Sequence, residues 1–433
     1  MKLRICLSLF ITAFLFTGCG TLTHYKKIDK FMLSGKYKAA DKMLTAEKKQ
    51  YKGEHELLYY FDKGLILQAL GEYDSSTAYL NKAELKIESL YTKSVTKHLS
   101  SFLTNDMNLP YEGEEFEQVM VHIIKGLNFL YEGNFDGAQI EARKADHRLN
   151  LLVDRYEGKP IYQEDAMARY LGGLAYEAAG ELDHARIDYK KSYRAYVKYG
   201  KMYGTSVPRR VKQDLLRMLD ALGYRSDLAQ YKKKWGNITF TDYRKLKRRS
   251  ELIVVVYDGL APYKVSKFIK APVKDKKGNV HMIRVAFPYF KKRGYVVSGA
   301  ALEAGGRSVK GFIAEDIAKI AAKNLEHKNT LIKAKAIARA AAKYFAGRAV
   351  SNDGKNKLLG MLADIYSWAS EKADTRSWRT LPARFHIIRA QLKPGARRVK
   401  VNLFLTGGGS RQEVIEVNLK RGQKKVVPVY AFN

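Results

Sequence analysis

The sequence contains very little cysteine. Its 433 residues include only two, Cys6 and Cys19, so no cysteine follows position nineteen. The chain beyond that point therefore has neither a disulfide nor a thiol for metal binding or nucleophilic catalysis. Packing alone must hold its core together.

The sequence also lacks the motifs that accompany common enzyme chemistry. None of its nine histidines lies four residues from another or in an HExxH motif. It has no GxSxG elbow, no Walker loop and no dinucleotide fingerprint. We read Glu114 and Glu115 as solvated loop residues and not as a glycosidase pair. We therefore expect no enzyme, no metal site and no cofactor, with the histidines at or near the surface.

The first residues predict export. Lys2 and Arg4 give a basic start, and residues 5–16 are apolar without a single charge. Because this run is too short to span a bilayer as a helix, residues 1–18 are typical of a secretory signal peptide.

The segment Phe16-Thr17-Gly18-Cys19 resembles the lipobox of bacterial lipoproteins. The resemblance implies that Cys19 becomes the first residue and carries diacylglycerol on its sulfur and an acyl chain, such as palmitate, on its amine. Gly20 is not aspartate, which in this resemblance favours the periplasmic face of the outer membrane. The alternative is a conventional signal peptide followed by an ordinary thiol.

Acidic residues are scarce relative to basic ones, and the net charge is +34. Residues 251–433 contain 36 basic and 13 acidic side chains, which places +23 of that charge in the second part of the chain. Such a surface attracts lipid headgroups, lipopolysaccharide, acidic glycan or peptidoglycan carboxylates. Export argues against nucleic acid, and a merely solvated basic surface is the alternative.

A recurring pattern predicts helical hairpins in residues 19–245. A glycine is followed two places on by an aromatic residue or leucine, and three places later by alanine or serine. The turn glycines are Gly35, Gly71, Gly133 and Gly180, and the last three have a second glycine seven residues upstream, at Gly64, Gly126 and Gly173.

This pattern resembles the tetratricopeptide repeat, with irregular spacing and an interrupting loop over residues 101–117. Glycine and alanine allow two antiparallel helices to approach closely, and such an array usually offers a concave face to a protein partner. The alternative is a stack of helices that only supports the second part. Helices over residues 208–222 and 227–235 and a basic connector over 244–249 follow.

Residues 250–433 read as a basic β-rich domain with a helical insertion at about 311–371. We predict strands at 252–257, 263–273, 280–287 and 295–304, and again at 383–392, 399–405, 413–419 and 425–432. Between them, alanine-rich helical periodicity predicts three helices, from residue 313, from 332 and over 358–369. The fold class is thus α+β, with a tetratricopeptide-like solenoid followed by a β-sandwich-like domain. Pro428 places the last strand at the edge of an antiparallel meander.

Residues 374–382 form the one stretch that packing does not explain by itself. Arg376 and Arg379 flank Trp378 just before a strand, and such a loop can stack on a sugar ring or clamp a carboxylate. We take these three residues as candidate ligand-binding residues. The alternative is that Trp378 fills the sandwich while Asp374 pairs with an arginine.

Several segments together resemble an uncharacterised family of bacterial envelope lipoproteins with tetratricopeptide-like repeats. The resemblance lies in the lipobox and in residues 126–129, 142–145, 261–264, 286–288 and 374–382. It implies no established activity. Members of this family are often encoded near lipoproteins that resemble activators of peptidoglycan synthases.

From these features we expect an outer-membrane lipoprotein that acts as a protein–protein interaction scaffold in the cell envelope, in peptidoglycan synthesis or envelope assembly. The alternative is a module that binds anionic glycan, peptidoglycan or lipopolysaccharide through the basic C-terminal domain.

Overall fold

The computed structural model describes residues 20–96, 107, 109–155, 162–236, 238–275, 278–351 and 372–433. The helices of the first part extend to Lys247, and the first strand begins at Ser250. The predicted signal segment, the lipid-attachment residue Cys19 and the predicted helix over 358–369 lie outside the described residues.

Four helical hairpins form the first part of the chain, as the glycine pattern predicted. The turn glycines Gly35, Gly71, Gly133 and Gly180 have φ values of 67, 79, 78 and 88°, a region that glycine adopts without steric cost. The pairs are α1 (Gly20–Leu33) with α2 (Tyr37–Ala46), α3 (Glu56–Ala69) with α4 (Tyr73–Thr96), α5 (Glu115–Glu132) with α6 (Phe135–Arg155), and α7 (Ala166–Ala179) with α8 (Leu182–Tyr203).

Glycine also lets the paired helices approach closely. A Cβ atom on Gly64 would lie 2.6 Å from the Leu80 side chain, and one on Gly173 would lie 2.6 Å from Tyr189. Neither distance is compatible with a larger residue at the glycine without repacking. The third hairpin differs, because its tight contact is made by Gly137 against Phe129, at 2.7 Å.

Three shorter helices lead to the sheets. They are α9 (Arg209–Ala221), α10 (Arg225–Trp235) and α11 (Tyr243–Lys247), the last within the predicted basic connector. The first two match the predicted helices to within a few residues. Gly223 ends the turn between them with a φ of 75°.

The second part contains two four-stranded sheets and a separate hairpin. The first sheet has the order β10 (Lys424–Ala431), β1 (Ser250–Leu260), β7 (Pro382–Leu392), β6 (Phe312–Glu315). The second has the order β5 (Arg307–Lys310), β4 (Val297–Ala304), β8 (Gly395–Leu405), β9 (Ser410–Leu419), and the hairpin consists of β2 (Tyr263–Lys274) and β3 (Val280–Lys291). Helices and sheets together confirm the α+β class.

The first sheet is the middle layer of three. Leu252, Val254 and Val256 of β1 face the second sheet and share a core with Val401 and Leu403 of β8. The alternate β1 residues Ile253, Val255 and Tyr257 face the helices and belong to the helical core. Because both faces of β1 are covered, all eleven of its residues are buried.

The structure corrects three details of the predicted second part. Residues 312–315 form β6 and not a helix, because they pair with β7 in the middle sheet. The two helices predicted over residues 313–341 are a single helix, α12 (Ile317–Ser351). Strand β10 does lie at a sheet edge, but it pairs in parallel with β1 instead of closing a meander.

Candidate functional site

The first helices of the second, third and fourth hairpins pack against the middle sheet. Tyr257 of β1 donates a hydrogen bond to Gln68 of α3 at 2.8 Å and accepts one from Tyr131 of α5 at 2.8 Å. Further along the sheet, Arg389 of β7 contacts Glu177 of α7. We call α3, α5, α7 and α9 the inner helices and α4, α6 and α8 the outer helices. The chain's own sheet covers the inner helices, so this face of the helical array is closed to a protein partner.

A fully buried ion cluster fastens α7 and α9 to the sheet. The Arg389 guanidinium lies 2.9 Å from Asp214 of α9, 2.7 Å from Glu251 of β1 and 3.1 Å from Glu177. Arg217 also pairs with Glu177 and Asp214, at 2.9 and 2.7 Å. Burial alone would raise the pKa of the Glu251 carboxyl, but Arg389 and the neighbouring cations outweigh it and hold this pKa well below its usual value.

The sequence signal for this cluster was weak. A lone arginine in a strand such as β7 is usually a solvated residue, and its three carboxylate partners come from distant segments. Arg389 and Asp214 are 175 residues apart in the chain. Only the packing of α7 and α9 on the sheet brings them together.

The candidate ligand-binding residues lie between the helices and the sheet. Arg376 pairs with Asp374 at 2.8 Å and donates hydrogen bonds to the carbonyl oxygens of Glu54 and Leu109. Trp378 is 1% exposed, and its ring stacks on Phe61 of α3 with the centroids 4.3 Å apart. This arrangement agrees with internal pairing of Asp374. It places Trp378 against the helical array and not inside the sandwich.

Arg379 differs from the other two candidates because it borders a cleft. The cleft has a volume of about 490 Å³ and lies between α1 and the beginning of β2. Four cationic side chains, Lys26, Lys30, Arg293 and Arg379, line it together with the carboxylate side chain of Asp29. Both arginines pair with Asp29, and the two lysines on α1 are exposed. We call this feature the basic cleft, and its excess of positive charge suits an anion.

The position of Arg379 is fixed by aromatic contacts. Its guanidinium lies 4.2 Å from the ring centroid of Tyr263 and 5.2 Å from that of Tyr25. Its Nε atom is buried without a hydrogen-bond partner among the described residues. The side chain is thus held at the wall of the cleft while part of its donor capacity is unused.

Two acids predicted to be solvated are buried. Glu114 caps α5 and contacts Lys264 and Lys328, both at 2.6 Å, and Glu115 contacts Lys328 at 2.7 Å. The two lysines come from β2 and α12, which the sequence places about 150 and 210 residues away. Burial opposes ionisation of Glu114, but the two lysines outweigh it and lower its pKa. The segment therefore joins α5 to the β-rich part.

Two histidines are also more buried than predicted, and one belongs to an acidic cluster. His122 and His386 are 4% and 2% exposed. His122 lies beside Glu84 and Glu141, with potential ligand atoms of the three within 4.8 Å of one another. However, the Lys125 ammonium lies 2.5 Å from Glu84 and 2.9 Å from Glu141. Since a metal ion would have to displace this cation, the residues fit an internal ion-pair network.

Glu315 of β6 is a fully buried carboxyl. Burial, and next the charge of Asp165, raise its pKa well above the usual value. Burial likewise raises the pKa of Asp165, the N-cap of α7, to about 6. The folded chain therefore holds a proton on this pair that the unfolded chain releases near the ordinary pKa of about 4.3 for Glu.

This proton makes a testable contribution to stability. A carboxyl group whose pKa is raised by folding contributes its full stabilisation when the pH is below its pKa in the unfolded chain. This stabilisation is lost as the pH rises through its pKa in the folded chain. We expect Glu315→Gln to gain stability relative to the wild type between pH 5 and pH 8, by about 1 kcal/mol or more. Urea unfolding of both proteins at pH 5 and at pH 8 measures this difference in the free energy of unfolding. Glu303→Gln, at an exposed position of β4, is the control, and an equal response of both variants contradicts the prediction.

The geometry defines a tetratricopeptide-like repeat protein whose helical hairpins pack on a β-rich part with two stacked sheets. No family model matches the chain, and no curated protein matches it. Within the described residues, none of the helices is both long and apolar enough to cross a bilayer.

Some solved structures are distantly similar. MamA from Desulfovibrio magneticus RS-1 is 16% identical, covering 49% of this chain and 90% of that chain, with a TM-score of 0.30. BtubC from P. vanneervenii is 12% identical, covering 48% and 74%, with a TM-score of 0.33. A Podosopora anserina protein described as a kinesin light chain with nearly identical TPR-like repeats is 12% identical, covering 49% and 91%, with a TM-score of 0.31. The repeat assignment rests on the hairpins and their glycines, not on these similarities.

Proposed function

We propose that this chain is a non-enzymatic outer-membrane lipoprotein, anchored through lipid on Cys19, that acts as a scaffold for other proteins of the cell envelope. The observation that carries the scaffold role is the buried ion cluster around Arg389. It fixes α7 and α9 to the sheet, and the hydrogen bonds of Tyr257 join α3 and α5 to the same sheet. The outer helices packed on them therefore form a surface at a constant position relative to the β-rich part.

The outer helices carry exposed aliphatic side chains suited to a partner. Leu85 of α4 is 65% exposed, Ile140 of α6 is 46% exposed and Ile187 of α8 is 37% exposed. Ile140 and Ile187 each follow their turn glycine by seven residues, so they occupy equivalent places in successive hairpins. The buried centre of an interface is more apolar than its rim, and the residues that contribute most of the binding energy cluster there.

A pull-down from detergent-solubilised envelope tests the scaffold role. We expect the wild type to recover a specific protein and the double variant Ile140→Glu with Ile187→Glu to lose it. Leu331→Glu is the matched control, because Leu331 of α12 is 56% exposed and lies in the other part of the chain. Recovery of no specific protein contradicts the proposal.

Mass spectrometry of the mature N-terminus tests the anchor. The expected result is diacylglycerol on the Cys19 sulfur and an acyl chain on its amine. An unmodified Cys19 thiol, or a chain found in the cytosol by fractionation, contradicts the envelope assignment.

The basic cleft supports a second candidate function, the binding of an anionic glycan, peptidoglycan or lipopolysaccharide group. Lys26 and Lys30 lie on the rim of the cleft, whereas Lys27 of the same helix is exposed but does not line it. Binding to isolated sacculi or to lipopolysaccharide is expected to weaken with salt and with Lys26→Glu and Lys30→Glu. Lys27→Glu is the control, and equal binding by all three proteins contradicts this role.

A further inference from the structure

The hairpin of β2 and β3 has one face covered by α12, and its other face is open over residues 268–274 and 280–284. Ala271, Ile283 and Val285 point toward α12 and share a small core with its Ala336 and Ala340. The residues of opposite parity face away from this core, because successive side chains of a strand alternate between its two faces. Within the described residues, β2 and β3 pair only with each other.

The open face is apolar to an unusual degree for a solvent-exposed sheet. Phe268 is 43% exposed, Val280 is 58% exposed and Met282 is 59% exposed. In the register of the hairpin, Met282 lies opposite Pro272. The apolar side chains therefore continue across both strands. We call these four residues, together with Lys270, Lys274 and Arg284, the hairpin face.

The cations of the hairpin face are interleaved with its apolar residues. Lys270 lies opposite Arg284, and Lys274 lies opposite Val280. The Arg284 guanidinium is 3.7 Å from the ring centroid of Phe268. The hairpin face has three basic residues, Lys270, Lys274 and Arg284, and neither strand contains an acidic residue.

We propose that the hairpin face docks onto the surface of an anionic lipid bilayer. An acidic glycan matches the cations but offers nothing apolar to Met282, Val280 and Phe268, whereas a bilayer interface offers both phosphates and acyl chains. The inference rests on the proposed lipid anchor, which keeps the hairpin near a membrane at high effective concentration. The consequence is a fixed orientation of the chain on the bilayer, with the basic hairpin as a second contact.

A thiol-directed fluorophore tests the docking directly. Because the mature lipidated chain has no free cysteine, Met282→Cys gives a single labelling site, and Phe404→Cys gives a matched one on β8, where Phe404 is 42% exposed. Each labelled, lipidated chain is reconstituted into phosphatidylcholine vesicles with and without phosphatidylglycerol. We expect the label at position 282 to shift its emission to the blue, and to be quenched by a nitroxide lipid, in the anionic vesicles only. The label at position 404 stays in water.

A charge variant provides the second measurement. Each basic residue near an anionic surface contributes about fivefold to the partition constant. Lys270→Glu with Lys274→Glu should therefore lower the docked-to-undocked ratio of the position-282 label by roughly 30-fold or more. Lys400→Glu, an exposed cation on β8, should leave this ratio unchanged.

Two results overturn the proposal. One is a position-282 label that stays in water in anionic vesicles. The other is a shift that depends on protein concentration in detergent without any lipid, which would assign the face to a second copy of the chain. Failure of the proposed anchor is recognised separately, because mass spectrometry then shows an unmodified Cys19. In that case the docking of the unanchored chain can still be tested by co-sedimentation with anionic vesicles.

Discussion

Replacing Arg389 by alanine is expected to lower the free energy of unfolding by about 3–5 kcal/mol, because it leaves three buried carboxylates without their shared cation. Arg389 is 0% exposed at its side chain, as are Glu177 and Asp214, and Glu251 is 1% exposed. In such surroundings a charge without a partner is far more costly than a missing surface ion pair. Arg217, Arg210 and Lys424 remain in the cluster, so the loss is smaller than that of an isolated charge.

Denaturant unfolding followed by circular dichroism measures this loss. Arg398→Ala is the matched control, because Arg398 lies on the neighbouring strand β8 and its pair with Glu416 is 74% and 77% exposed. Surface substitutions of this kind change stability by about 0.5 kcal/mol or less. If the two variants unfold at the same denaturant concentration, the cluster does not hold the helices to the sheet.

Replacing Trp378 by alanine is expected to cost about 3–5 kcal/mol, the usual range for removing a fully buried large aromatic side chain. Its ring stacks on Phe61 with an angle of 12° between the planes, and its indole N–H donates to Thr380 at 3.0 Å. Its backbone N–H donates to Glu117 at 2.7 Å. The substitution thus opens a cavity between α3, α5 and the segment that leads into β7.

The same variant separates the structural role of Trp378 from a sugar-stacking one. Thermal unfolding of Trp378→Ala should show a large loss of stability, whereas Trp235→Ala, at a partly buried position of α10, should cost much less. Trp378→Phe should recover part of the loss because it restores an aromatic ring against Phe61. Unchanged stability of Trp378→Ala would contradict burial and favour a residue kept for ligand contact.

Local features of the sequence predicted the repeats and most of the strands. The turn glycines could be recognised because a hairpin requires a positive φ at that position, and this requirement does not depend on the rest of the fold. The predicted strands 263–273, 280–287 and 383–392 closely match β2, β3 and β7. The apolar spacing of residues 312–315 is compatible with a helix and with a strand. Only pairing with β7 selects the strand.

The candidate site could be predicted only in part. Asp374 and Arg376 are neighbours in the sequence, and their internal pairing was one of two alternatives. The basic cleft could not be predicted, because Lys26 and Arg379 are more than 300 residues apart. The same holds for Glu114, whose lysine partners come from β2 and α12.

The sequence alone determined the α+β class, the helical hairpins, the distribution of positive charge and the expectation of an exported, lipid-bearing chain. These properties depend on composition, turn chemistry and periodicity within short segments. Only the tertiary structure decided that the inner helices are covered, that Arg389 and Trp378 are buried, and that one face of the β2–β3 hairpin is left open. Each of these depends on contacts between distant segments, and local preferences contain no information about which distant surfaces meet.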